Sequence, residues 1–357
     1  MTVTGTPIKV LIAEDSPTAR ALLMHLIDSS PGMRVLAAVG DGEQAVEAAG
    51  RLHPDVVLMD VHMPRLDGFE AVRRIMQSQP VPIVMVSGTL TDQVAATFCA
   101  IDAGALAFLP HPPGPGHPDH AADAAELVNT VRLMSEVRVI RRWAKADRPP
   151  VIETPPARKG TRRVAAECEL VAIGASTGGP PVLRAILSAL PRNFPAPILV
   201  VQHIATGFVH GLAEWLASSC SLPIRVPAHG DRLMGGAVYL APDGAHLGVD
   251  GSRCVMLSNA PPEHGLRPSV SFLFRSVAGV YGPRAVGVLL TGMGRDGAQE
   301  LKLMRERGAV TIAQDEESSV IHGMPAEAIR LDAAHIVLSP DGIAAELAAA
   351  ADAKPQT

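Results

Sequence analysis

Aromatic side chains are scarce, at 3% of 357 residues, with only seven Phe, two Tyr and two Trp. The cores must therefore be built from Ala, Val, Leu, Ile and Met. Cysteine is also rare. Cys99, Cys168, Cys220 and Cys254 stand far apart with no Cys-x-x-Cys pair, so neither a zinc site nor a disulfide framework is indicated. No apolar run reaches the roughly 18–20 residues of a membrane span. Met1–Pro7 lacks the basic and long apolar regions of a signal peptide, so a cytoplasmic protein with reduced thiols is expected, without membrane insertion. There is no excess of basic residues either. The net charge is −5, which argues against a nucleic-acid partner. What remains is a globular balance, 47% hydrophobic and 19% charged. At roughly 150 residues per domain the length fits about two domains.

Both halves alternate short aliphatic strands with helices, the pattern of parallel, doubly wound α/β sheets. In the first half, strands are expected at Lys9–Ala13, Arg34–Val39, Val56–Met59, Ile83–Val86 and Ala105–Leu109, and a last helix over Ala122–Trp143. In the second, they are expected at Leu170–Ile173, Ile198–Gln202, Val238–Ala241, Val286–Leu290, Val310–Ala313 and Ile336–Leu338. His246–Val249 and Cys254–Leu257 flank Asp250-Gly251, a hairpin signal. Between Glu136 and Arg163, basic residues outnumber acids and the pairs Pro149-Pro150 and Pro155-Pro156 exclude helix. This divides the chain into residues 1–125, a helix and basic Pro-rich linker at 126–165, and residues 166–357.

In open α/β sheets the chemistry sits at the carboxyl ends of the strands. Glu14 and Asp15 end the first strand and Asp60 the third. Three converging carboxylates repel one another, and a partly hydrated Mg²⁺ on oxygen ligands is the natural compensation. Ser87 ends the fourth strand, placed to hydrogen-bond a phosphoryl oxygen on Asp60. The stretches Glu14-Asp15-Ser16, Asp60-Val61-His62-Met63-Pro64-Arg65-Leu66-Asp67-Gly68 and Val86-Ser87 make residues 8–125 resemble the response-regulator receiver family. The resemblance implies a flavodoxin-like fold and phosphorylation of Asp60 by a histidine kinase. It also implies Mg²⁺ held by Asp15, Asp60 and a backbone carbonyl, with Glu14 in support. His111 stands where the family has a lysine, so a titratable group replaces a permanent cation. Its ordinary pKa of about 6.5 leaves it largely neutral unless its neighbours raise it.

In the second half, Gly174-Ala175-Ser176-Thr177-Gly178 has nucleophile-elbow spacing between a strand and a helix. Helix-start amides would face an oxyanion there. A Gly-rich anion cradle and a plain turn are the rival readings, although G-x-G-x-x-G spacing and a P-loop lysine are absent. A serine nucleophile needs a base and an orienting carboxylate. His203 ends an apolar strand expected beside that of Ser176, and His246 is the rival base. Asp296, in Thr291-Gly292-Met293-Gly294-Arg295-Asp296-Gly297, is the candidate carboxylate. The order Ser, His, Asp differs from the Ser, Asp, His of α/β-hydrolases, so convergent chemistry on another fold is expected.

Ile173–Pro180, Val201-Gln202-His203, Arg267-Pro268-Ser269-Val270, Leu289–Ala298, Ala313-Gln314-Asp315-Glu316 and Gly323-Met324-Pro325 make residues 168–348 resemble the chemotaxis protein-glutamate methylesterase family. The receiver–linker–esterase order is that family's order. The resemblance implies Ser176 as nucleophile, His203 as base and Asp296 as orienter, with Thr177 adjacent and the Met293 amide at the oxyanion. It implies a carboxylic ester hydrolase acting on glutamate γ-methyl esters of chemoreceptors, a deamidase activity on receptor glutamines, and no cofactor for the esterase. Ser271, where relatives often carry Asp, and His264 depart from the pattern and are placed on the rim. A receiver-gated hydrolase outside chemotaxis and a phospho-controlled scaffold with an idle triad are the alternatives.

Overall fold

The computed structural model describes residues 6–87, 104–137 and 168–352. The chain forms two compact units, Met1–Glu153 and Thr154–Thr357. The expected basic linker and Cys99 fall almost wholly or wholly outside the described residues.

In the first unit, strands β1 (Ile8–Ala13), β2 (Met33–Val39), β3 (Val56–Asp60), β4 (Ile83–Ser87) and β5 (Ala107–Pro110) form one parallel sheet in the order β2-β1-β3-β4-β5. Helices α1 (Pro17–Asp28), α2 (Gly42–Leu52), α3 (Gly68–Ser78) and α4 (His120–Met134) are interspersed with the strands. Ser16, Asp41 and Asp67 cap α1, α2 and α3 by accepting from the third amide of each. Strands β3 and β4 are buried along their whole length, as expected of strands covered on both faces. Burying each such Val or Leu contributes about 1.5–3 kcal/mol. The strand order reverses between β1 and β3, so the crevice at their carboxyl ends is the ligand position for this topology. Helix α4 ends at Met134, and the expected end at Trp143 lies outside the described residues. Ser135, Glu136 and Val137 donate their amides to Val131, Leu133 and Met134, which tightens the chain into a turn.

The second unit has a seven-stranded parallel sheet, order β14-β13-β12-β6-β7-β9-β8. Its strands are β6 (Leu170–Ala175), β7 (Ile198–Gln202), β8 (Ile224–Arg225), β9 (Val238–Leu240), β12 (Ala285–Leu289), β13 (Val310–Gln314) and β14 (Ile336–Leu338). The expected hairpin is present as antiparallel β10 (His246–Val249) and β11 (Val255–Ser258). Helices α5 (Gly179–Ala189), α6 (Val209–Ala217), α7 (Val270–Val280), α8 (Ala298–Glu306), α9 (Met324–Arg330) and α10 (Pro340–Asp352) complete the unit. The two-residue edge strand β8 escapes sequence reading because two residues carry no periodicity. From β6 the chain winds outward through β7 to β9, then returns to lay β12, β13 and β14 on the other side. The carboxyl ends of β6, β7 and β12 therefore meet at the switch point. Phe194, Phe208, Tyr239, Phe274 and Tyr281 are buried here, so five of the chain's eleven aromatics serve this unit's interior.

Candidate active site

Three carboxyl-end residues meet in the first unit. Glu14 and Asp60 are 2% and 8% exposed, and a ligand atom from each lies within 4.8 Å of the others in the group Glu14, Asp60 and His111. Asp15, expected among the metal ligands, is exposed and outside this group. Glu14 Oε1 accepts from the Ser16 amide at 3.0 Å, and Asp60 Oδ2 from the His62 amide at 3.2 Å. The His111 Nε2 lies 3.0 Å from Glu14 Oε2 and 3.8 Å from Asp60 Oδ1. Burial alone would lower the imidazole pKa, but the carboxylates of Asp60 and Glu14 beside it outweigh burial, and the pKa rises to about 9. At neutral pH the histidine is therefore a cation in the lysine position. Ser87 is buried at the end of β4, with its carbonyl accepting from the His111 amide. Glu14 Oε2 is buried without an aligned donor. That hard oxygen, faced only by the His111 imidazole among the described residues and lying beside a second carboxylate, fits a divalent cation with oxygen ligands.

The second site begins at the end of β6. Ala175 is in register with Gln202 of β7, so Ser176 and His203 follow at neighbouring strand ends. The His203 amide donates to the Ala175 carbonyl at 2.9 Å and the Ser176 amide to Thr291 at 3.0 Å. Gly178 caps α5 with φ +78°, a left-handed turn that glycine adopts without strain. Gly292 presses on Ser176: a Cβ there would stand 2.6 Å from the Ser176 Cβ. The Met293 amide follows directly, while its side chain is half exposed. Thr291 pins this loop, donating its amide to Gln314 Oε1 at 2.8 Å and its hydroxyl to the Thr177 carbonyl at 3.0 Å.

The expected fan of helix-start amides is not there. Pro180 and Pro181 have no N–H, and the Gly179 amide is turned back to the Ser176 carbonyl at 2.8 Å. Among the described contacts the amides of Thr177 and Met293 make no hydrogen bond.

His203 Nε2 lies 3.0 Å from Asp296 Oδ2. Asp296 is 3% exposed and accepts three further bonds, all from the start of α7. These come from the Ser269 hydroxyl at 2.9 Å, the Val270 amide at 2.7 Å and the Ser271 amide at 3.0 Å. Burial alone would raise the Asp296 pKa. The bond to His203, its charge and the Ser271 and Val270 bonds outweigh that, and hold the carboxyl well below the usual carboxylate range. An ionised Asp296 requires the proton on Nε2, which leaves Nδ1 of His203 as the basic nitrogen. Among the described contacts Ser176 makes no hydrogen bond to His203, as is common before substrate is bound.

Ser271 is not a rim residue. It is 1% exposed, its amide holds Asp296, and its hydroxyl accepts from the Gly297 amide at 3.0 Å. The helix start is folded against Asp296, so position 271 faces inward. His264 is exposed. His246, the rival base, is fully buried and stacked on Phe272 with ring centroids 4.8 Å apart. Its Nε2 donates to the Pro261 carbonyl and its Nδ1 accepts from the Ser269 amide, at 3.1 and 3.2 Å. With both nitrogens occupied it has no free lone pair for Ser176. Neither Ser269 nor Gln314 stands in a catalytic motif of the linear chain. Ser269 could have been noticed as a serine before an apolar helical run.

Residues 10–117 match the response regulator receiver domain and residues 171–347 match CheB methylesterase. The protein-glutamate methylesterase/protein-glutamine glutaminase 4 of Geobacter metallireducens is 54% identical over 343 residues, covering 95% of this chain and 98% of the relative. The Nitrosospira multiformis protein-glutamate methylesterase/protein-glutamine glutaminase is 52% identical over 347 residues, covering 95% and 96%. The crystal structure of the Thermotoga maritima CheB methylesterase catalytic domain superposes with a TM-score of 0.50 at 37% identity, covering 51% of this chain and 97% of that one. The fold and comparisons define a response regulator with an enzymatic output domain. The chain belongs to the protein-glutamate methylesterase/protein-glutamine glutaminase family.

Proposed function

We propose that this chain hydrolyses glutamate γ-methyl esters on chemoreceptors and deamidates receptor glutamines, under control of Asp60 phosphorylation, to provide adaptation in chemotaxis. The observation that carries the reading is the buried Asp296–His203 pair at the strand end beside Ser176. Residues 1–125 are the receiver, 126–165 the linker and 166–357 the catalytic domain of a cytoplasmic enzyme. The absence of any helix long and apolar enough to cross a membrane, among the described residues, is compatible with that placement.

Ser176 Oγ attacks the ester carbonyl while Nδ1 of His203 takes its proton. The amides of Thr177 and Met293 hold the oxyanion. His203 returns the proton to the leaving oxygen, methanol departs, and an acyl-Ser176 remains. Water then attacks with His203 again as base, releasing glutamate. With a glutamine substrate the leaving group is ammonia.

In the receiver, Glu14, Asp15 and Asp60 would hold Mg²⁺, which neutralises charge on the phosphoryl group during transfer. Asp60 accepts that group from a histidine kinase, and Ser87 and His111 sit beside its oxygens. Methanol release from methylated receptor membranes, with and without acetyl phosphate, tests the whole reading. No release sinks the esterase. Release unaffected by acetyl phosphate sinks the phosphorylation control.

A further inference from the structure

Gln202 is the last residue of β7 and is 7% exposed. Its Nε2 donates to two carbonyls, that of Ser176 at 2.8 Å and that of His203 at 2.8 Å. One amide group thus bridges the backbones of the two residues read above as nucleophile and base. Both residues sit one position past the last registered pair of their strands, Ala175 and Gln202, where the His203 amide bond to the Ala175 carbonyl is the last rung between the two strands.

The other end of the amide is left unsatisfied. Gln202 Oε1 is buried with no hydrogen-bond partner and lies against Gly179, where a Cβ would come within 2.1 Å of it. A buried amide oxygen without a donor costs free energy. Flipping the amide would not help, because it would turn the oxygen onto two carbonyls. The orientation is therefore dictated by the two donor bonds.

We propose that Gln202 is a positioning residue for the esterase reaction: it sets the distance and angle between Ser176 and His203 without touching the substrate. The inference rests on the reading of those two residues as nucleophile and base. Small errors in such geometry are expensive, since rate depends steeply on alignment of the reacting groups.

The test compares the full-length wild type with Gln202→Glu and Gln202→Met, both close in size to glutamine. Folding is checked by thermal melting. Three quantities are read: kcat and KM for methanol release from methylated receptor membranes, and the rate of labelling of Ser176 by a serine-directed fluorophosphonate. Both variants are expected to lose at least tenfold in kcat with KM changed less than twofold, and labelling should slow in parallel. In a His203→Gln background the same substitutions should add no further loss of labelling rate, because there is no base left to position. A purely structural role would cost equally in both backgrounds. Turnover within twofold of wild type, equal losses in both backgrounds, or loss of the folded state in both variants would overturn the assignment. Ser176→Ala is run alongside. If it retains turnover, the nucleophile reading itself fails. If it is inactive while the Gln202 variants keep full rate, only the Gln202 inference fails.

Discussion

The two domains put carboxylates at the same place, the carboxyl ends of parallel strands at a switch in strand order, and treat them in opposite ways. In the catalytic domain Asp296 is saturated, with four donors on its two oxygens. In the receiver, among the described residues, Glu14 Oε2 lacks an aligned donor and Asp60 accepts a single backbone amide apart from its proximity to His111. A carboxylate that orients a base must not move or take a proton, so it is locked by fixed dipoles. A carboxylate that is to receive a phosphoryl group, as proposed for Asp60, must keep its lone pairs available, and here its charge is offset by a neighbouring imidazole rather than by fixed donors. Preorganisation and availability are competing demands on the same functional group.

The comparison is tested most severely on the catalytic side. Ser176→Ala should reduce methanol release by about a thousandfold or more while the protein stays folded. His203→Gln and Asp296→Asn should each cost about 10²–10⁴, with the double variant no worse than the poorer single one. Additive losses would mean that the locked carboxylate does not act through His203.

On the receiver side, Asp60→Asn should abolish the response to acetyl phosphate and leave basal methanol release intact. A fragment beginning at Arg163 should be several-fold more active than the unphosphorylated full chain, if the receiver restrains the esterase. Equal activity would remove that model.

A smaller effect is expected at His111. Because its imidazole lies 3.0 Å from Glu14 and 3.8 Å from Asp60, His111→Lys should respond to acetyl phosphate within about twofold of wild type, whereas His111→Ala should respond several-fold less. Equal responses from all three proteins would show that the cation has no part in the switch.

The smallest effect is on stability. The folded pKa of Asp296 is depressed, so its ionised form contributes stability above its ordinary value near 4, and that contribution is lost as pH falls through the depressed folded value. Asp296→Asn should melt a few degrees below wild type at pH 7, from the loss of about 1–3 kcal/mol of buried hydrogen bonding. The gap should narrow below about pH 4. A gap that stays constant down to pH 3 would contradict the locked carboxylate.

Much of this architecture is legible in the linear chain. Alternating aliphatic strands and helices are local periodicities, so both parallel sheets and the β10–β11 hairpin can be read within a few residues. The strand-end position of Glu14, Asp15, Asp60, Ser176 and His203 follows from the same pattern. Even the missing helix-start amides stand in plain view as Pro180-Pro181, although nucleophile-elbow spacing directs attention away from them.

Tertiary structure alone decided which of these residues meet. The start of α7 is more than twenty residues from Asp296 in sequence, and only the order of β6, β7 and β12 brings them to one crevice. That same convergence turned Ser271 inward and committed both nitrogens of His246. In the receiver it set His111 between two buried carboxylates and raised its pKa. Composition and periodicity are properties of neighbours along the chain, whereas burial, charge and hydrogen-bond partners depend on which distant segments the sheet places side by side.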